Sequence, residues 1–177
     1  ATVARIGGLP RQEAIELTTR VMRHTLVILL AVCGFLFVSA DVIVGLFFDS
    51  EFSGMATALR ILLPGVMLYG LAPAFSSFYT YQAGRPSASA LVAAAGLIVD
   101  IGLDFILVPW LGVNGAALAS AIAYASAILG AIAVFLWTTK TPPSRVLRFG
   151  RADIDDYRQL ISRLRQLALR RGRGIPA

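Results

Sequence analysis

Four stretches of the chain, residues 25–48, 57–81, 88–108 and 115–138, are apolar almost without interruption. Each is long enough to cross a bilayer, which takes ~20 mostly apolar residues in a helix. None alternates apolar and polar residues with period two, as the strands of an outer-membrane barrel do, and each is too long for a buried strand. A helix is the remaining way to satisfy backbone N–H and C=O groups in hydrocarbon. The connecting segments, 49–56, 82–87 and 109–114, are short, so successive helices are expected to be antiparallel neighbours.

Polar segments flank this domain. In residues 1–24, Pro10 marks a helix start where its missing N–H costs little, and Glu16 and Arg20 stand one turn apart, so a helix along the membrane surface is expected. After the last apolar stretch, Pro142 and Pro143 open a basic tail over 139–177. Within it Asp153 can cap a helix in which Ile154, Tyr157, Leu160, Ile161, Leu164 and Leu167 recur at three and four residues. Arg158, Arg163, Arg165, Arg170 and Arg171 flank and follow that stripe, so the amphipathic helix over 153–170 is expected to bind anionic headgroups, with a protein partner as the lesser alternative. The fold class expected is therefore an all-α membrane protein: four transmembrane helices plus N-terminal and C-terminal surface amphipathic helices.

A composition of 57% hydrophobic and 15% charged residues excludes an ordinary soluble domain. The net charge of +6 would by itself admit nucleic acid, but the placement of the charges excludes that partner. Arg5, Arg11, Arg20 and Arg23 precede the first span, Arg85 lies in the second loop, and ten basic residues from Lys140 to Arg173 follow the last. Under the positive-inside rule this puts both termini in the cytoplasm, with Arg60 the lone exception. The single cysteine, Cys33, lies in the first span and reads as packing. No metal set and no cofactor are expected. With His24 as the only histidine, no nucleophile with a paired base and no phosphate-cradling glycine motif, the chain is not expected to be an enzyme.

Within the spans, Pro64, Gly65, Gly70 and Pro73 predict that the second helix is bent or locally unwound and covered by neighbours. Gly115, Ala119 and Ala123 put small side chains at helical spacing, which permits close approach of another helix. Ionisable groups inside the spans are the candidate functional residues, since each needs a reason to be there. Asp100 and Asp104 lie one turn apart on a face shared with Ala93 and Gly96. A central Asp costs ~2.5–3.5 kcal/mol on an insertion scale and each Leu, Ile, Val or Phe returns ~0.3–0.6, so the span's eleven such residues roughly cancel its two acids. That face should meet other helices or a wet cavity. At ~1.5 Å per residue, Arg60, Asp104 and Asp41 lie about 5, 6 and 10 Å inside the outer ends of their spans. Arg60 is expected to pair with Asp104 or Asp41, or else to reach outer headgroups, Asp49 or Glu51. Together the four residues are candidates for a substrate or ion pathway, the alternative being helix locking alone.

The run VDIGLDFILVPWLGVNGAALASAIAY, Val99 to Tyr124, resembles a signature of the multidrug/oligosaccharidyl-lipid/polysaccharide exporter superfamily. Upstream, LRILLPGVMLYGLAPAFSSFYTYQAGRP is similar to the preceding span and loop of its polysaccharide or O-antigen flippase branch. The resemblance covers most of residues 1–138 and implies a flippase for lipid-linked oligosaccharide that works by alternating access between two six-helix lobes, in the bacterial cytoplasmic membrane. This chain would supply about the last four helices of the C-terminal lobe. It departs from the pattern in carrying Asp, not the commoner Asn, at 100 and 104. Because the chain opens on alanine and the other lobe is absent, a piece of a longer protein is expected, its cavity completed by the missing N-terminal lobe or by self-association. A drug/cation antiporter or a lipid II flippase of the same superfamily, and a non-transporting membrane scaffold, are the alternatives.

Overall fold

A computed structural model describes residues 8–49, 52, 54–140 and 142. The tail helix expected over 153–170, with Arg158, Arg163, Arg165, Arg170 and Arg171, lies outside the described residues, as do Arg5 and Glu51. Among the described residues there are only helices: α1 (Arg11–Phe47), α2 (Met55–Tyr69), α3 (Ala72–Ser77), a π-helical turn (Phe78–Gln82), α4 (Pro86–Leu111) and α5 (Val113–Thr139). They make four candidate spans, with α2, α3 and the π turn together forming the second. The protein is an all-α membrane protein.

Packing follows the order α1–α2–α5–α4, which leaves α5 in the middle and α1 and α4 at the edges. The small residues of α5 allow this. A Cβ added to Gly65 of α2 would overlap the backbone of Ala121, and one added to Gly115 would overlap the backbone of Leu107 on α4. Ala119 and Ala123 are completely or almost completely buried between these contacts. In lipid, where helices gain nothing by hiding apolar surface from water, such close backbone approach is a main source of association.

Two elements differ from expectation. Of the N-terminal segment, residues 11–24 are helical but run without a break into the first span, giving a single helix of 37 residues, about 55 Å long. They do not lie apart on a surface because Ile15 and Met22 are buried in an aromatic core with Phe75, Phe78, Tyr79 and Phe135. The hydroxyls of Thr18 and Thr19, also buried, donate back to the carbonyls of Ala14 and Ile15 at 2.8 Å. The loop expected at 109–114 shrinks to one residue. Gly112, at φ 57 and ψ −132, reverses the chain in a conformation open to glycine, so α4 continues through Pro109 to Leu111 and α5 starts at Val113.

The second span is interrupted at Gly70, just before Pro73, while α2 runs unbroken through Pro64 and Gly65. Pro73 cannot donate to the carbonyl of Tyr69, and the chain tightens so that Leu71 N–H donates to Leu68 at 3.0 Å before α3 begins. Beyond α3 the helix widens into the π turn. Phe75 and Phe78, three residues apart and so on one helix face, both meet Phe135 edge-on, with centroids 5.6 and 5.0 Å apart. The core therefore sits at the terminal end of the bundle, where α1 begins and α5 finishes. A smaller cluster of Ala40, Val44 and Ala56 closes the far end.

If the α2–α5 crossing depends on backbone contact, Gly65→Ala should cost about 1–3 kcal/mol through overpacking despite alanine's better helix propensity. Gly34→Ala, on the open side of α1 with nothing within 4 Å, should cost nothing. Denaturant titration of the two variants in micelles makes the comparison; equal stabilities would refute the close-contact account.

Candidate functional site

Arg60, one and a half turns into α2, forms a bidentate pair with Asp41 of α1. Nη1 donates to Oδ1 at 3.1 Å and Nη2 to Oδ2 at 2.5 Å. Nε donates to the carbonyl of Phe37 at 3.0 Å, and the Phe37 ring lies 5.8 Å from the guanidinium carbon. Phe37 and Asp41 are one turn apart on one helix face, so α1 presents a carbonyl, a ring and a carboxylate to one planar cation. Both charged residues lie about 8–9 Å inside their helix ends, which puts them at one level. Of the carboxylates weighed as partners for Arg60, Asp41 holds it. The ion pair makes a locally neutral unit that ties α1 to α2.

Asp100 and Asp104 lie elsewhere, on α4 near α5. The four ionisable residues do not converge on one point but form two groups, one on each flank of the α2–α5 contact. Antiparallel register between α4 and α5 follows from Gly96, whose added Cβ would meet that of Ala127 at 3.2 Å, and from Gly115 against Leu107. Gly96, Asp100, Asp104 and Leu107 thus form the half-buried stripe of a helix that has no fully buried residue. Ala93, assigned to the same face, is exposed.

The Oδ1 atoms of Asp100, Asp104 and Asn114 are buried with no hydrogen-bond partner among the described residues. Oxygens shielded without a donor are costly, and a proton, a cation or a polar ligand supplied from outside would satisfy them. Asn114 was hidden from sequence reasoning because Pro109 and Gly112 read as a loop. Phe37 was hidden because its role belongs to its carbonyl and ring; its position one turn before Asp41 was the available signal. Gly115, Ala119 and Ala123 are all buried by contacts within the chain.

Between α3, α4 and α5 lies an apolar cavity of about 590 Å³, bordered by Tyr69, Pro73, Phe75, Tyr79, Val92 and Ile128. Tyr69 stacks on Tyr124 of α5 with centroids 4.8 Å apart, which holds one wall of it in place. The interruption at Gly70 and the small face of α4 open this space. Its lining is suited to an acyl or isoprenoid chain, not to an ion.

A neutral pair is better tolerated facing lipid than either charge alone. In lipid nanodiscs, Arg60→Met and Asp41→Val should each lower the thermal midpoint, and the double variant should lose less than the sum of the two. Strictly additive losses would show that the residues are energetically independent. Comparison of the chain with family models, with curated proteins and with solved structures finds no match.

Proposed function

We propose that this chain is part of the C-terminal lobe of a flippase for lipid-linked oligosaccharide in a bacterial cytoplasmic membrane, with both termini on the cytoplasmic side. The observation that carries the reading is α4: a spanning helix with no fully buried residue that nevertheless holds two carboxylates with shielded, unpartnered oxygens. Carboxylate oxygens shielded against α5 without a donor are costly in a membrane, and a proton, a cation or a polar substrate moving along a transport pathway would supply what they lack. The resemblance of residues 99–124 to the exporter signature falls on the same hairpin. The interrupted second span and the apolar cavity beside it suit a transporter whose helices rearrange around an amphipathic substrate.

The orientation rests on charge. Arg11, Arg20, Arg23, Arg85 and Lys140 lie at or toward the terminal end, and Arg60, the exception, is balanced by Asp41. Membrane lipids and the lipid-linked glycan are then the partners. Cation antiport within the same superfamily is the second reading, favoured by the two carboxylates as a cation site. A scaffold built on the small-residue face is less favoured, because Gly115, Ala119 and Ala123 are already used within the chain.

In a bacterium carrying this gene, deletion should abolish a surface glycan and the wild-type gene should restore it. The Asp100→Asn/Asp104→Asn double variant should export severalfold less glycan at equal membrane abundance. Unchanged glycan with loss of ion-dependent drug efflux would replace this reading by cation antiport; no change in either would leave the scaffold.

A further inference from the structure

A second cavity, of about 660 Å³, opens at the terminal end of the bundle, and its lining includes Arg11, Gln82, Tyr79, Arg85, Trp137 and Lys140. Three cations from three distant parts of the chain meet there, and no carboxylate lines the cavity among the described residues. Each is anchored by its backbone or by a hydrogen bond. Arg11 opens α1 and donates through Nη2 to the carbonyl of Thr138 at 3.0 Å, which engages one of its five N–H donors. Arg85 follows the turn made by Gly84 at φ 63, and its backbone N–H donates to Tyr79 at 2.9 Å. Lys140 ends α5 at φ 52, a left-handed conformation in which glycine is the usual residue.

Three like charges held together by a folded scaffold call for an anion. Guanidinium groups match the paired oxygens of a phosphate, and a lysine adds a point charge. The surroundings say which kind of phosphate. Trp137 is 83% exposed at the rim, as an interfacial tryptophan is, and Tyr79 borders both this basic cavity and the apolar one. A charged pocket next to an apolar one fits a molecule with a phosphate head and a hydrocarbon tail. We infer that the terminal end of the bundle binds an anionic phospholipid from the adjoining leaflet, its phosphate among Arg11, Arg85 and Lys140 and an acyl chain toward the apolar cavity beyond Tyr79. Basic pockets between spanning helices hold acidic headgroups by this chemistry. The inference goes beyond the transport reading and does not rest on it.

The test uses the full chain in dodecyl maltoside micelles, exposed to equimolar dioleoyl-phosphatidylglycerol and dioleoyl-phosphatidylcholine, with bound lipid counted by native mass spectrometry. Wild type should retain phosphatidylglycerol over phosphatidylcholine. Removing a cation should weaken the preference about fivefold, so that Arg85→Gln/Lys140→Gln loses roughly 25-fold, while Arg85→Lys/Lys140→Arg keeps it. Lys140→Gly separates charge from folding: it relaxes the left-handed backbone, so it should lose about fivefold in preference with no fall in thermal midpoint. Equal retention of the two lipids by wild type, or an undiminished preference in the double glutamine variant, would overturn the inference. Displacement of phosphatidylglycerol by equimolar glycerol phosphate would overturn it too, by assigning the pocket to a soluble phosphate.

Discussion

The arrangement depends on how closely α5 lets its neighbours approach. Lipid tails are as apolar as leucine, so burying Leu or Ile between helices gains little in a membrane, and association rests on surfaces that fit. α5 meets this constraint on two sides. Gly65 of α2 lies against the backbone of Ala121, and Gly115 lies against the backbone of Leu107 on α4. These contacts place α5 at the centre of the packing order, and they explain why the edge helices expose many large apolar residues while the centre is built from alanine and glycine. The reversal at Gly112 serves the same end, since a one-residue connection brings the last turn of α4 directly against the first turn of α5.

With the helices so disposed, the intramembrane charges meet two different fates. Arg60 and Asp41 lie on adjacent helices at one level, and α1 offers the Phe37 carbonyl and ring in the same place, so the cation is satisfied on several sides. Asp100 and Asp104 face a helix chosen for small side chains, and their shielded oxygens find no donor. Close packing and hydrogen bonding conflict there: the alanines and glycines that bring α4 near α5 supply no side-chain N–H or O–H of their own. A polar group left in that state is a place where a proton, an ion or a substrate has free energy to contribute.

The terminal end combines rigidity with charge. The aromatic core of Phe75, Phe78, Tyr79 and Phe135 lies just beyond the break at Gly70, and it receives Ile15 and Met22 from the extended α1. That anchoring sets Arg11 beside the end of α5 and positions the 84–86 turn opposite it. Tyr79 links the regions, being at once a core residue and a wall of both cavities.

Much of this was legible in the residues themselves. Four apolar runs could only be helices, because hydrocarbon leaves backbone groups no other partner, and Gly70 and Pro73 marked the interrupted span because their chemistry acts within a turn or two. Small-residue spacing on α5 and the need of Arg60 for a carboxylate could be read for similar local reasons. Tertiary structure decided which carboxylate: depth along the spans matched Arg60 more closely to Asp104 than to Asp41, and only the packing order puts α1, not α4, beside Arg60. It also decided that residues 11–24 join the first span, since a buried Ile15 or Met22 depends on Phe75, Phe78, Tyr79 and Phe135, which are distant in the chain. The separation of the aspartates into two groups, the shielding of Asn114 and the meeting of Arg11, Arg85 and Lys140 have the same origin. Period and composition establish what each helix is, whereas neighbours are chosen by shape and charge between segments distant in the chain.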